Sequence, residues 1–313
     1  MTSRSASLAA ASGPETAPAS APQGPSPAAG TTPKPDRPLL DTCRMFARNC
    51  PAMTGLVLLA TIVLATLFGP GLYGVDPFSM VDMPFAPPGP DCLLGTDYLG
   101  RDILAGVIVG GRATLAVGAS AAAITVLIGV VIGTFAGYFG GWVDAVLMKV
   151  TEFFQILPTL LFAMVLVTIF SSSLVTIAIA IGAVSWTATA RLTRAEFIRI
   201  RDLEYVKAAR TAGARDFYLM FRVILPAALP PIIVAAALAV GISILFEAGL
   251  SFLGLGDPNT MSWGMIIGQN RDYLLNAWWT VTFPGIAIFL TVLSISLIGD
   301  GVNDALNPRL RRR

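Results

Sequence analysis

The sequence predicts an all-α membrane protein with six transmembrane helices. Three observations carry this expectation: sparse charge, high hydropathy, and a series of uncharged runs long enough to cross lipid. Only 13% of the 313 residues are charged, against roughly 25% in a soluble domain whose surface must be wetted. Mean hydropathy is +0.72, and the apolar residues are too clustered to hide in one water-soluble core. A net charge of +2 gives no global basic field, so nucleic acid is not an expected partner. Lipid is.

The elements follow in chain order. Residues 1–40 are rich in Ala, Pro, Ser, Gly and Thr with almost no large apolar side chains. Such a segment cannot bury enough surface to offset its ordering entropy, so it is expected to be a disordered cytoplasmic tail. It has no apolar region near its start of the kind a signal peptide carries. Beyond it, crossing a hydrocarbon core takes about 20 helical residues. Asn49–Val75 is uncharged, with an apolar heart at Met53–Phe68 closed by Gly69-Pro70-Gly71. Residues 41–112 thus hold the first span and an extracytoplasmic loop, and 113–313 a five-helix core.

Within that core, Ala113–Val143 is uncharged and forms span 2. Phe153–Ala190 is too long for one crossing and is interrupted by Ser171-Ser172-Ser173, which divides it into Phe153–Phe170 and Leu174–Ala190. Val223–Phe246 follows, with helix-compatible prolines at its start (Pro226, Pro230, Pro231). Tyr273–Gly299 is the sixth span. In span 2, Gly129, Gly133 and Gly137 recur every four residues, which lets a neighbouring helix approach closely in lipid. That neighbour is either a helix of this chain or one of a second subunit.

Orientation follows from Lys and Arg. The segment between spans 4 and 5 carries Arg191, Arg194, Arg199, Arg201, Lys207, Arg210, Arg215 and Arg222. Arg44 and Arg48 precede span 1, and Arg309, Arg311, Arg312 and Arg313 close the chain. The loop after span 1 is acidic instead, with Asp76, Asp82, Asp91, Asp97 and Asp102. Both termini and the span 4–5 segment are therefore expected in the cytoplasm.

Several chemistries are excluded by residue type. The chain has no histidine, so no His-dependent triad, His-ligated metal or His pH switch can form. Cys43 and Cys50 precede span 1, where a reducing cytosol disfavours a disulfide, and Cys92 follows it. No metal site is expected. A P-loop needs Gly-Lys-Ser/Thr, but Lys34, Lys149 and Lys207 precede Pro, Val and Ala. No catalytic residue and no bound cofactor are expected. Energy for any transport must come from another chain.

The span 4–5 segment, about 193–226, reads as two short amphipathic helices joined at Gly213. Val206, Ala209 and Ala212 lie at helical spacing with small surfaces, and Tyr218, Leu219 and Phe221 add bulk beyond the joint. A helix pair projecting between two spans can fill a groove on a soluble partner; a solvated basic loop is the alternative. Glu247 closes a 24-residue uncharged run. An ionisable group there either faces an aqueous translocation path or makes a structural hydrogen bond. Thr96 or Asp97 could cap a helix, with Asp97 and Arg101 an i,i+4 pair. Met261, Trp263, Trp278 and Trp279 suit the outer interface.

Lys207-Ala208-Ala209, Gly213, then Val223-Ile224-Leu225-Pro226 resembles the EAA motif of binding-protein-dependent ABC importers, in which E-A-A, Gly and I-x-L-P recur at these spacings. Lys207 stands at the acidic position and Val223 at the isoleucine. Leu94-Gly95-Thr96-Asp97-Tyr98-Leu99-Gly100-Arg101-Asp102 resembles the LGTDxLGRD signature of C-type permeases of dipeptide and oligopeptide importers, and Glu247–Gly256 resembles their EAxLSFLGLG. Ser262-Trp263-Gly264 and the stretch from Gly299 to Arg309 also fit. The resemblance covers about residues 42–313.

It implies a type I ABC importer permease fold and import of peptides. It also implies a set of partners: a second homologous permease, two cytoplasmic ATPases that bind ATP and magnesium, and an extracytoplasmic substrate-binding protein. Lys207, Ala208, Ala209, Gly213, Val223, Leu225 and Pro226 would couple this chain to the ATPase. Nickel, glutathione or oligosaccharide are alternative cargoes within the class. A secondary transporter is the alternative outside it, and a membrane enzyme lacks any base beside its serines.

Overall fold

The computed structural model describes residues 45–306. The expected tail, Cys43 and the residues from Asn307 onward lie outside the described residues. Five helices are long and apolar enough to cross a membrane: α1 (Cys50–Tyr73), α2 (Ile103–Phe139), α5 (Leu174–Arg201), α7 (Asp216–Phe252) and α9 (Trp279–Leu306). The bent pair α3 (Gly141–Ile156) and α4 (Thr159–Phe170) is together long and apolar enough for a sixth. Two short helices, α6 (Glu204–Thr211) and α8 (Trp263–Asn270), lie in the connections. Among the described residues, pairing is limited to two isolated bridges, Met80–Arg101 and Thr96–Asp102. The bundle is all-α with six crossings.

The expected third span is broken. α3 and α4 meet at 86°, because Leu157 is extended (ψ 129°) and Pro158 offers no N–H to continue the ladder. α3 is held to α5 through its polar side: Asp144 accepts two bonds from Arg194, and Gln155 accepts one from Arg191 at 3.0 Å. Its Trp142, Val146, Phe153 and Ile156 are exposed. The turn at Ser171–Ser173 is as expected, with the Ser173 hydroxyl capping α5 at Thr176 N–H.

α1 does not end at Gly69-Pro70-Gly71 but runs on to Tyr73. Pro70 has no N–H for the carbonyl of Thr66, four residues back, and that carbonyl instead accepts from Arg112 Nε at 2.8 Å. Arg112 Nη2 also donates to Leu67 O. An arginine inside α2 thus supplies the donor that a proline in α1 lacks. α2 itself starts at Ile103, ten residues before the charge pattern suggests, because Asp102 Oδ1 accepts from Leu104 N–H at 2.7 Å and Ala105 N–H at 3.2 Å. Neither Thr96 nor Asp97 caps a helix.

The glycine seam of α2 packs within this chain. A Cβ on Gly129 would lie 2.6 Å from Thr189, one on Gly133 2.4 Å from the carbonyl of Ala190, and one on Gly137 2.6 Å from Phe197. All three partners are on α5, so the two backbones touch where lipid offers no hydrophobic drive.

The loop before α2 folds into a cap over one end of the bundle. Thr96 Oγ1 donates to Met83 O at 2.7 Å and accepts from Ala86 N–H at 2.8 Å. Asp97 Oδ1 accepts from Leu99 and Arg101 N–H, both at 2.8 Å, and Asp102 Oδ2 accepts from the Tyr73 hydroxyl at 2.6 Å. Trp279 Nε1 donates to Thr96 O at 3.1 Å, tying the cap to α9. Arg101 lies over the Phe78 ring at 5.5 Å, so the expected i,i+4 pair with Asp97 gives way to a cation–π contact. Met261, Trp263 and Trp279 are buried beneath the cap and only Trp278 is exposed. The expected interfacial anchors are therefore packing residues with one exception. Cys92 is also buried, and burial pushes its thiol pKa up.

Candidate functional site

At the opposite end from the cap, the chain between α5 and α7 builds the helix pair that the spacing suggests. α6 ends in a Schellman turn: Ala214 N–H reaches Ala209 O at 3.1 Å and Gly213 N–H reaches Arg210 O at 3.0 Å. That closure needs a left-handed residue, and Gly213 has φ +87°. Ala209 and Gly213 are thus the first and fifth residues of one six-residue turn, which explains their separation without any partner.

Beyond the joint, α7 opens with one turn and then a π segment, Leu219–Ile224. The wider turn lets Leu225 N–H reach Met220 O, five residues back, just before Pro226, which has no N–H to donate. Val223, Leu225 and Pro226 therefore sit where the helix changes from π to α. The prolines at 230 and 231 continue inside α7.

The two halves of the pair bury one side and expose the other. Val206, Leu219, Met220 and Ile224 are fully buried and pack with Phe197 and Tyr138. Leu219 and Val206, expected on the outward face, belong to this core instead. Tyr205, Lys207, Ala208, Ala212 and Gly213 are exposed, with Phe217, Tyr218 and Phe221 beyond them. Phe217 and Phe221 stack with ring centroids 6.2 Å apart. A Cβ on Gly213 would meet nothing within 4 Å. The result is a face of small residues flanked by aromatics, open to solvent. Lys207 Nζ stands 3.9 Å from Glu204 Oε1 at an exposed site, which contributes little.

One functional candidate was not legible in advance. Tyr138, in the last turn of α2, is only 5% exposed. Its hydroxyl donates to Asp216 Oδ1 at 2.5 Å and accepts from Arg210 Nη2 at 3.4 Å. The only sequence signal is an aromatic residue with a polar tip five residues before the end of an uncharged run.

Glu247 lies in α7 near the cap, 1% exposed. Its Oε1 accepts from Ser251 Oγ at 2.8 Å, and Oε2 has no hydrogen-bond partner. It lies where α7 packs closely on α8: a Cβ on Gly264 of α8 would lie 2.6 Å from Ala248 and 2.9 Å from Ser251. The LSFLGLG stretch ends α7 in a second Schellman turn, with Leu255 N–H to Leu250 O at 2.9 Å and Gly254 at φ +84°.

Residues 129–312 match the family described as binding-protein-dependent transport system inner membrane component. Residues 37–88 match the N-terminal TM domain of oligopeptide transport permease C. The chain is 40% identical over 290 residues to the dipeptide transport system permease protein DppC of Escherichia coli K12, covering 90% of this chain and 97% of that one. It is 39% identical over 282 residues to the di/tripeptide transport system permease protein DppC of Pseudomonas aeruginosa UCBPP-PA14, covering 88% and 93%. Identity to the oligopeptide transport system permease protein OppC of Bacillus subtilis 168 is 36% over 275 residues, covering 87% and 90%. With six crossings, a capped helix pair at one end and a sealed loop at the other, the chain belongs to the family of inner membrane permease components of binding-protein-dependent transport systems.

Proposed function

We propose that this chain is the permease subunit of an ATP-driven importer of di- and oligopeptides, and that its exposed helix pair receives the ATPase. The peptide cargo is supported by the names of relatives that match nearly the whole chain. The docking role is supported by one observation above the rest: Ala208, Ala212 and Gly213 form an open, small-residue face held by the chain's own core, beside exposed aromatics. A protein groove can accept such a face closely. The Lys and Arg excess of this segment supports its placement in the cytoplasm, with both termini on the same side.

On this reading a second homologous permease completes the path, and two ATPases carrying ATP and magnesium grip the helix pairs. An extracytoplasmic binding protein delivers peptide to the cap side. ATP-driven approach of the ATPases moves each helix pair, and the spans follow. This chain binds no nucleotide itself.

Gly213→Pro tests the reading. Proline is fixed near φ −65°, so it cannot take the left-handed turn, and it removes the N–H that reaches Arg210 O. The expected outcome is normal membrane insertion with loss of peptide-stimulated ATPase activity in the assembled complex. Undiminished stimulation would refute docking at this turn. Peptide uptake by the purified chain alone in liposomes would instead indicate a secondary transporter.

A further inference from the structure

Both arms of the helix pair converge on one phenol of the membrane bundle. Arg210 precedes the Gly213 joint by three residues and Asp216 follows it by three; each reaches the Tyr138 hydroxyl. The Arg210 guanidinium also lies 5.7 Å from the centre of the Tyr138 ring. The ring itself is locked in the core with Phe197, Ile200 and Val206. Behind it, Arg201 Nη1 donates to the carbonyls of Gly137 at 3.1 Å and Tyr138 at 2.9 Å, groups that the end of α2 leaves without intrahelical donors.

Across the joint the arms also share the backbone bond from Ala214 N–H to Ala209 O and the apolar packing of Val206 with Leu219 and Met220, and the Tyr138 hydroxyl adds the side-chain polar tie. Gly213 has open space on its Cβ side, and residues 212–215 are mostly exposed. The exposed docking face and the buried fastening are therefore separate surfaces of one small unit. Tyr138 in turn belongs to α2, whose Gly129, Gly133 and Gly137 bring its backbone into contact with α5. A displacement of the helix pair thus meets a rigid two-helix body through the apolar packing of Val206, Leu219, Met220 and Ile224 on Phe197, Ile200 and the Tyr138 ring, and through the polar contacts at the Tyr138 hydroxyl.

We propose that Tyr138 is a positioning residue for coupling: its hydroxyl staples the two arms across Gly213 and passes their movement to the α2–α5 pair. This rests on the docking reading above. A charge-assisted bond to Asp216 and a donor from Arg210 make the phenol both donor and acceptor, so no apolar ring can replace it.

The test uses the complete transporter with its ATPases and binding protein, comparing Tyr138→Phe with the unaltered complex. The ring and its packing remain; only the hydroxyl is lost. ATPase should co-purify at unaltered stoichiometry, while peptide moved per ATP hydrolysed falls about five- to tenfold, the scale of coupling changes along a contact network. Hydrogen exchange in residues 204–218 should rise while α2 stays protected. Asp216→Asn keeps an acceptor for the phenol and should lose less. The double variant should lose no more than Tyr138→Phe alone. Unchanged peptide-to-ATP stoichiometry, or additive losses in the double variant, would overturn the proposal. Should Tyr138→Phe fail to insert, the comparison passes to Asp216→Ala at the exposed end of the same bond, where unchanged stoichiometry would refute it equally. Failure of ATPase to co-purify with the unaltered chain would sink the docking reading itself.

Discussion

Leu94–Asp102 and Lys207–Gly213 are both compact motifs at the ends of spans, yet they face opposite ways. In the first, Thr96, Asp97 and Asp102 are buried and each accepts or donates within the chain. In the second, Lys207, Ala208, Thr211, Ala212 and Gly213 are exposed, and the internal bonds are those of the backbone turn, the Thr211 hydroxyl to Lys207 O, and Arg210 to the Tyr138 hydroxyl. The polar residues of the cap are consumed by its own architecture. The small residues of the helix pair stay exposed. A motif's polarity alone would suggest the reverse, because the cap carries more charge and yet is the sealed one.

The sharpest way to break this contrast is to add one carbon at a left-handed glycine in each region. Gly100 has φ +73° and its Cβ would lie 2.1 Å from Asp82 O. Gly100→Ala should cost about 2–5 kcal/mol from combined strain and overpacking, visible as a large fall in melting temperature in detergent. Gly213 has φ +87° with nothing nearby, so Gly213→Ala should cost only about 1–2 kcal/mol. Equal losses would mean that the helix pair is as tightly sealed as the cap.

A second pair separates stability from docking. Thr96→Val removes the hydroxyl that serves Met83 O and Ala86 N–H, and should cost about 1–3 kcal/mol by leaving buried groups short of partners. Ala208→Leu alters an exposed position and should change stability by less than about 0.5 kcal/mol. It should nevertheless lower the amount of ATPase that co-purifies. Normal ATPase recovery with Ala208→Leu would remove the partner from that face.

How much of this was legible beforehand depends on whether the deciding contact is local. Uncharged run length and the Ser171–Ser173 break located the crossings other than the third, since both act within one segment; α3, which carries Asp144, Lys149 and Glu152, interrupts that pattern. The glycine repeat of α2 announced a close contact but not its partner, Thr189 to Phe197 of α5. Helix ends misled where a distant residue intervened: Pro70 looked like a terminator until Arg112 supplied the missing donor, 42 residues on. The 86° bend at Pro158 was available from the proline itself, but apolar continuity on both sides concealed it. Of the residues proposed for coupling, Gly213 was readable because the turn it forms is local backbone geometry. Tyr138 was not, because its partners lie 72 and 78 residues away.

The smallest expected effect concerns the one cap carboxylate whose burial outweighs its bonds. Burial pushes the Asp97 pKa above its ordinary 3.8, although N–H groups of Arg101 and Leu99 and the Arg101 charge pull it back. The folded chain therefore holds this proton to higher pH than the unfolded chain does. Its contribution to stability is fully present below the unfolded pKa and is lost as pH rises through the raised folded pKa. Asp97→Asn keeps an Oδ1 acceptor for Leu99 and Arg101 but has no proton to lose. Melting curves taken from about pH 4 upward should show the unaltered protein losing ground to the variant as pH rises, then a constant gap near neutrality. Parallel curves would show that Asp97 titrates alike in the folded and unfolded chain, and that the cap is wetter around it than its packing implies.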